Sequence, residues 1–211
     1  MILFATLAYV SLDIKGWAIS VEPAAFTDSK WEAAKIELTK QLGNISKVVP
    51  PSRVTQLKKI HVWVHLKSKK TLCMAYHPGR QWLVDNDQDP DMEKGIELAN
   101  LESFISWTKQ QPWMVLHELA HGYHDQFLAK GFQNREVSTA FRVSMDSKIY
   151  ESVRHVNGRM EKHYATTNPM EYFAESTEAY FGINDFYPFN RDDLKKFDPK
   201  TLSLMQSIWK D

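Results

Sequence analysis

The sequence predicts an α+β fold: an N-terminal mixed sheet with helices, then a mainly helical C-terminal part. Before about residue 100, short runs rich in β-branched and aromatic residues alternate with amphipathic stretches. Beyond it, apolar residues recur at helical spacing and strand-like runs stop. With 211 residues, 43% of them hydrophobic and 12% aromatic, the chain has material for one sizeable core, and residues 1–211 are read as a single domain.

Taken in order, residues 15–21 (KGWAISV) read as a strand, and residues 29–42 as an amphipathic helix with Trp31, Ala34, Ile36 and Leu38 on its apolar side. Residues 60–66 (IHVWVHL) read as a second strand, with further strand candidates at 71–76 and 95–99. Pro50-Pro51, the acidic run 85–91, Gly131 and the stretch 182–188 punctuate the pattern. Helices are then expected over 101–109, 112–129, 135–153, 169–181 and 199–210. The apolar start, MILFATLAYVSL, is too short for the roughly 20 residues of a membrane span. Residues 1–12 read either as a signal remnant or as a first strand. The first choice implies a secreted or cell-envelope protein, the second leaves a cytoplasmic one open.

Composition narrows the partners. Lys+Arg and Asp+Glu both number 26, so the formal charge is zero. No basic block provides the electrostatic footprint that nucleic acid or anionic lipid requires, and neither nucleic acid nor stable membrane insertion is expected. The one cysteine, Cys73, forms no internal disulfide and reads as a small buried residue. Tryptophans 31, 63, 107, 113 and 209 read as core, and the run 185–189 (DFYPF) as a packed loop.

The chemistry concentrates in WMVLHELAHGYHDQF. His117 and His121 stand at i and i+4, which on a helix puts their Cβ atoms about 6 Å apart on one face. Two imidazoles so placed converge on one zinc ion, and Glu118, one position round, reaches a water on it. Two histidines and a glutamate on an otherwise apolar helix need partners, which a metal supplies together. His124 lies two turns from His117, roughly 10 Å, too far to share the ion. The metzincin continuation fails, since His124 and Phe127 occupy its Gly and His positions.

A third ligand is therefore expected from another segment, and NPMEYFAESTEAYF offers Glu171, Glu175 and Glu178 on one helical face. Asn168-Pro169 followed by Glu171 also reads as an ordinary helix start, with Glu171 in a capping box. Alternatively, Glu171 ligates the metal while Glu175, one turn on, accepts a hydrogen bond from a ligand histidine and fixes its ring. Glu178 is expected in solvent.

These segments, HELAH and the later YATTNPMEYFAESTEAYF, resemble the gluzincin metallopeptidases, specifically the group of the anthrax lethal factor catalytic domain and the Pro-Pro endopeptidases. Residues 16–211 further resemble uncharacterised bacterial zincin-like proteins. The resemblance implies a zincin-like fold, Zn2+ as cofactor, a peptide or protein substrate, and Glu171 of EYFAE as third ligand. It also implies that Tyr164 stabilises the tetrahedral intermediate, with His155 and His163 as rivals for ligand or oxyanion roles. The expected activity is an endopeptidase reaction through a zinc-activated water, with Glu118 as general base. The alternatives are a catalytically silent zinc-binding domain and a zinc hydrolase of a non-peptide amide. Residues 71–76 are the expected edge strand along which a substrate chain lies.

Overall fold

The computed structural model describes residues 9–211. Strands β1 (Val10–Ile14) and β2 (Trp17–Val21) form an antiparallel hairpin. The two residues between them, Lys15 at φ 55° and Gly16 at φ 84°, take the left-handed conformations that a type I′ turn requires. The expected strand over 15–21 therefore starts two residues late, at Trp17. Residues 10–12 belong to β1, and the remainder of the signal-or-strand alternative lies outside the described residues.

Helices α1 (Pro23–Phe26), α2 (Trp31–Val48) and α3 (Pro51–Leu57) lead to β3 (Val62–Val64), which pairs parallel with β2. Trp31, Ala34, Leu38, Leu42 and Ile45 form the buried face of α2, the two leucines and Ile45 each contributing about 1.5–3 kcal/mol. Ile36 does not join them and is 68% exposed. At 100° per residue it sits about 200° round the helix from Ala34, on the far side.

Strand β4 (Met74–Tyr76), helix α4 (Arg80–Asp85) and β5 (Ile96–Leu98) complete the sheet, whose order is β1-β2-β3-β5-β4. Strand β5 runs parallel to β3 and antiparallel to β4, so the sheet is mixed and β4 is an edge.

The helical half follows. Asn100 caps α5 (Leu101–Trp107), accepting the N–H groups of Glu102 and Ser103, and α6 (Met114–Phe127) comes next. Asn134 caps α7 (Arg135–Asp146), which ends short of the expected Val153. Lys148 turns left-handed at φ 58°, and the chain enters a small hairpin of β6 (Val153–Arg154) and β7 (Met160–Glu161). Then come α8 (Pro169–Phe181), α9 (Arg191–Phe197) and α10 (Pro199–Ile208), capped by Asn168, Asn190 and Asp198. The fold is thus the α+β arrangement the sequence predicts. No helix among the described residues is long and apolar enough to cross a membrane.

Two packings position the site. Helix α6 lies against the sheet at Gly122, where an added Cβ would stand 2.6 Å from Ile60 Cδ1. On its other side α6 packs along α8, where Trp209 stacks on Tyr123 at 4.2 Å and on Phe173 at 5.9 Å. Trp31 and Trp209 are core as expected, whereas Trp107 is 44% exposed because it closes the short helix α5 at the lip of a cavity.

Candidate metal centre

Leu116, Leu119, Ala120 and Tyr123 bury one side of α6, which leaves His117, Glu118 and His121 facing a cavity of about 660 Å³. The two imidazoles meet edge to face, with ring centroids 4.8 Å apart. Opposite them, α8 starts at Asn168, whose Oδ1 accepts the Glu171 N–H at 2.8 Å, with Pro169 in the first turn. That half of the helix-start reading holds. The Glu171 carboxylate, however, turns to the histidines: Oε2 lies 3.1 Å from His117 Nε2 and 3.3 Å from His121 Nε2. Metal–ligand bonds of about 2.0–2.1 Å in a tetrahedron put ligand atoms about 3.3 Å apart, which these two separations match, so the donor set could hold a metal ion.

The other nitrogen of His117 is also held. Its Nδ1 lies 2.7 Å from Glu178 Oε1 and 3.6 Å from Glu175 Oε1. Glu178, expected in solvent, is 4% exposed and is the nearer acceptor. The geometry explains the exchange: the ring lies along α8, with Nε2 over the first turn and Nδ1 over a later one. Glu175 is equally buried, and its Oε2 has no hydrogen-bond partner among the described residues.

The electrostatics of this face call for a cation. Burial by itself would depress His117, but the hydrogen bonds to Glu171 and Glu178 hold its pKa well above the usual histidine value. Burial pushes the Glu175 carboxyl well up, with the Glu178 charge adding to it, and burial likewise raises Glu178. For Glu171 the desolvation that would raise it is outweighed by the hydrogen bonds from His117 and His121, which keep it below the usual carboxylate range. Three carboxyl groups thus face two imidazoles, an excess of acid that a bound cation could offset.

Glu118 lines the cavity and makes no side-chain hydrogen bond among the described residues, so its carboxylate is available to a water. Tyr164 opens a 3₁₀ turn (Tyr164–Thr166) at the cavity rim, its ring 6.5 Å from that of His117. Burial, and then the Glu171 charge, raise the phenol pKa and keep its proton in place. The structure therefore brings His117, Glu118, His121, Tyr164, Glu171 and Glu175 to one cavity, and adds Glu178.

The rival histidines make other hydrogen bonds, although both stay close to the site: His155 lines the cavity, and His163 Nδ1 lies 3.7 Å from Glu175 Oε2. His163 Nδ1 accepts the Ala165 N–H at 3.1 Å, the ring stacks on Phe186, and burial lowers its pKa to about 3. His155 accepts the Asn157 N–H on Nδ1 at 3.1 Å and meets Asp185 Oδ2 with Nε2 at 3.3 Å. His124 is fully buried between Phe132 and Phe173 with both nitrogens unpartnered, outside the converging group. Cys73 is 2% exposed against Met114, and burial followed by the Glu118 charge pushes its thiol up to about 12.

Sequence reasoning missed Glu178, Gln111 and Asp185. Asp185 lies within the expected packed loop and is buried, but it also lines the cavity and accepts from Gln111 Nε2 at 2.8 Å. An acid inside an aromatic run was a visible signal for a buried carboxylate; its partner far earlier in the chain was not.

No protein-family model matches this chain, and no curated protein matches it. Among solved structures it is similar to the Pro-Pro endopeptidase from Paenibacillus alvei, at 15% sequence identity and a TM-score of 0.48, over 84% of this chain and 90% of that one. At that degree of likeness, the function has to be read from the side chains themselves.

Proposed function

We propose that the protein is a zinc-dependent endopeptidase, with His117, His121 and Glu171 holding the ion. The observation that supports this best is the convergence of His117 Nε2, His121 Nε2 and Glu171 Oε2 beside the unengaged Glu118, in a cavity flanked by edge strand β4. Two imidazoles and one carboxylate suit zinc among the common divalent ions. When bound, the ion supplies Lewis-acid polarisation of a carbonyl and acidifies water. Glu118 takes the proton of the attacking water and hands it to the departing amide nitrogen, so the C–N bond breaks as an amine leaves. Tyr164 keeps its proton and donates a hydrogen bond to the carbonyl oxygen as negative charge develops there. Glu178, with Glu175 behind it, holds the His117 ring so that Nε2 faces the ion. The free edge of β4 pairs with the substrate backbone and lays an extended chain across the cavity.

The test is digestion of a mixed peptide library by zinc-loaded wild type and by Glu118→Gln, read by mass spectrometry. Wild type is expected to cleave, and the variant to keep its zinc while losing about 10²–10⁴-fold in rate. Cleavage by the variant at the wild-type rate removes Glu118 from the mechanism. A zinc-loaded wild type that cleaves nothing overturns the peptidase reading in favour of a binding domain or a non-peptide hydrolase.

A further inference from the structure

The cavity continues past the metal-ligand candidates to a wall formed by Trp107, Gln111, His155, Asp185 and Phe186. Its lining includes Glu118, Glu171, Glu175, Glu178 and Asp185, and no lysine or arginine. Asp185 is 3% exposed, and both donors that reach it, Gln111 Nε2 at 2.8 Å and His155 Nε2 at 3.3 Å, go to the same oxygen, Oδ2. The donor role of His155 is fixed by its other nitrogen: Nδ1 accepts the Asn157 N–H, so the ring proton sits on Nε2. No protein donor reaches Asp185 Oδ1 among the described residues. A second carboxylate oxygen on the lining residues, Glu175 Oε2, is buried without a hydrogen-bond partner among the described residues, with His163 Nδ1 3.7 Å away. Two aromatic residues line the same cavity, Phe186 directly after Asp185 and Trp107, whose carbonyl accepts the Gln111 N–H at 2.9 Å.

We propose that this wall is a specificity subsite for a positively charged group of the substrate, an ammonium or guanidinium, with Asp185 as its counter-charge and Trp107 as its aromatic face. The subsite rests on the peptidase reading for the rest of the substrate. A buried carboxylate fixed by two donors on one oxygen presents the other, pre-oriented, to an N–H cation. An exposed indole adds a π face that attracts the same charge. An acidic side chain meets repulsion from the carboxylates on the lining.

Binding separates this from turnover. Zinc-loaded Glu118→Gln protein is titrated, by fluorescence anisotropy, with labelled octapeptides on an Ala-Leu scaffold. Each carries one Lys, N-acetyl-lysine or Glu at each position in turn, with a free or acetylated N-terminus. One cationic position is expected to bind at least about tenfold more tightly than its acetyl-lysine counterpart, with Glu weakest. Adding Asp185→Asn should abolish that advantage, and the exposed Trp107→Ala, which leaves the buried polar network intact, should cut it severalfold. An advantage confined to free N-termini assigns the cation to a chain terminus; an internal Lys assigns it to a side chain. Equal binding of Lys and acetyl-lysine at every position, no binding of the cationic peptides, or an advantage untouched by both substitutions overturns the subsite. Cleavage by wild type without a cationic preference leaves the peptidase reading standing alone. An Asp185-dependent preference with no cleavage by wild type leaves the subsite and removes the peptidase.

Discussion

Two buried clusters in this molecule join histidine to glutamate, and they are built to opposite ends. In the sheet, Glu97 is 1% exposed and serves two partners, His65 Nδ1 at 2.7 Å and His77 Nε2 at 2.9 Å, one on each carboxylate oxygen. Burial would raise this carboxyl, but the two histidine hydrogen bonds bring its pKa down to about 2. The Tyr9 hydroxyl completes His65 at Nε2, 2.8 Å away. Between α6 and α8, by contrast, the carboxylates outnumber the histidines, one carboxylate oxygen has no partner, and three ligand atoms converge on a point. The two candidate metal groups among the described residues both contain His117, and neither involves Glu97. Buried histidine beside glutamate is thus not in itself the mark of a metal site. What sets the second cluster apart is convergence together with an excess of carboxyl groups, an arrangement that could hold a cation.

The strongest way to break this contrast is Glu97→Ala. It strands His65 and His77 in the sheet and should cost roughly 3 kcal/mol in urea denaturation while leaving bound zinc unchanged. Loss of metal along with stability would show that the two clusters are not separate in kind. A finer test compares Glu178→Gln with Glu175→Gln by chelator competition. Removing the charge that orients His117 should weaken zinc binding about 10–100-fold for Glu178, and less for Glu175, whose nearer oxygen is 3.6 Å from Nδ1. The reverse order would return the orienting role to Glu175.

A further effect concerns His124, which lies one turn beyond the converging group and has no hydrogen-bond partner among the described residues. Burial, then the His121 charge, lowers its pKa from 6.5 to about 4. The unfolded chain therefore takes up a proton first as pH falls. Stability from this residue is fully present above about 6.5 and declines as pH drops towards 4, by about 3 kcal/mol. With chelator present to remove any contribution from metal release, His124→Leu should flatten the urea midpoint between pH 6.5 and 4. An unchanged slope would mean that His124 is not the neutral, buried group described.

What the sequence made legible was local. Helix α8 matches its expected limits because Asn168 and Pro169 start it, and the H-E-x-x-H face of α6 follows from periodicity alone. Glu171 was within reach of the same reasoning. Glu178 was not, since its burial comes from α6 lying along α8, which no spacing within its own helix encodes. Asp185 was hidden for a related reason, its donors Gln111 and His155 being distant in sequence. Helices α3, α4 and α9 are too short for periodicity to show, and Ile36 was misplaced by treating closeness in sequence as closeness on a helix face.

Glu171 is proposed as a metal ligand and not only as the third residue of a helix. The most direct measurement is the metal content, by elemental mass spectrometry, of wild type beside Glu171→Ala, both purified with zinc supplied. One zinc per chain in wild type and markedly less in the variant is the predicted result. Equal zinc in both, or none in either, would contradict it and leave Asn168 capping a helix whose glutamates have another purpose.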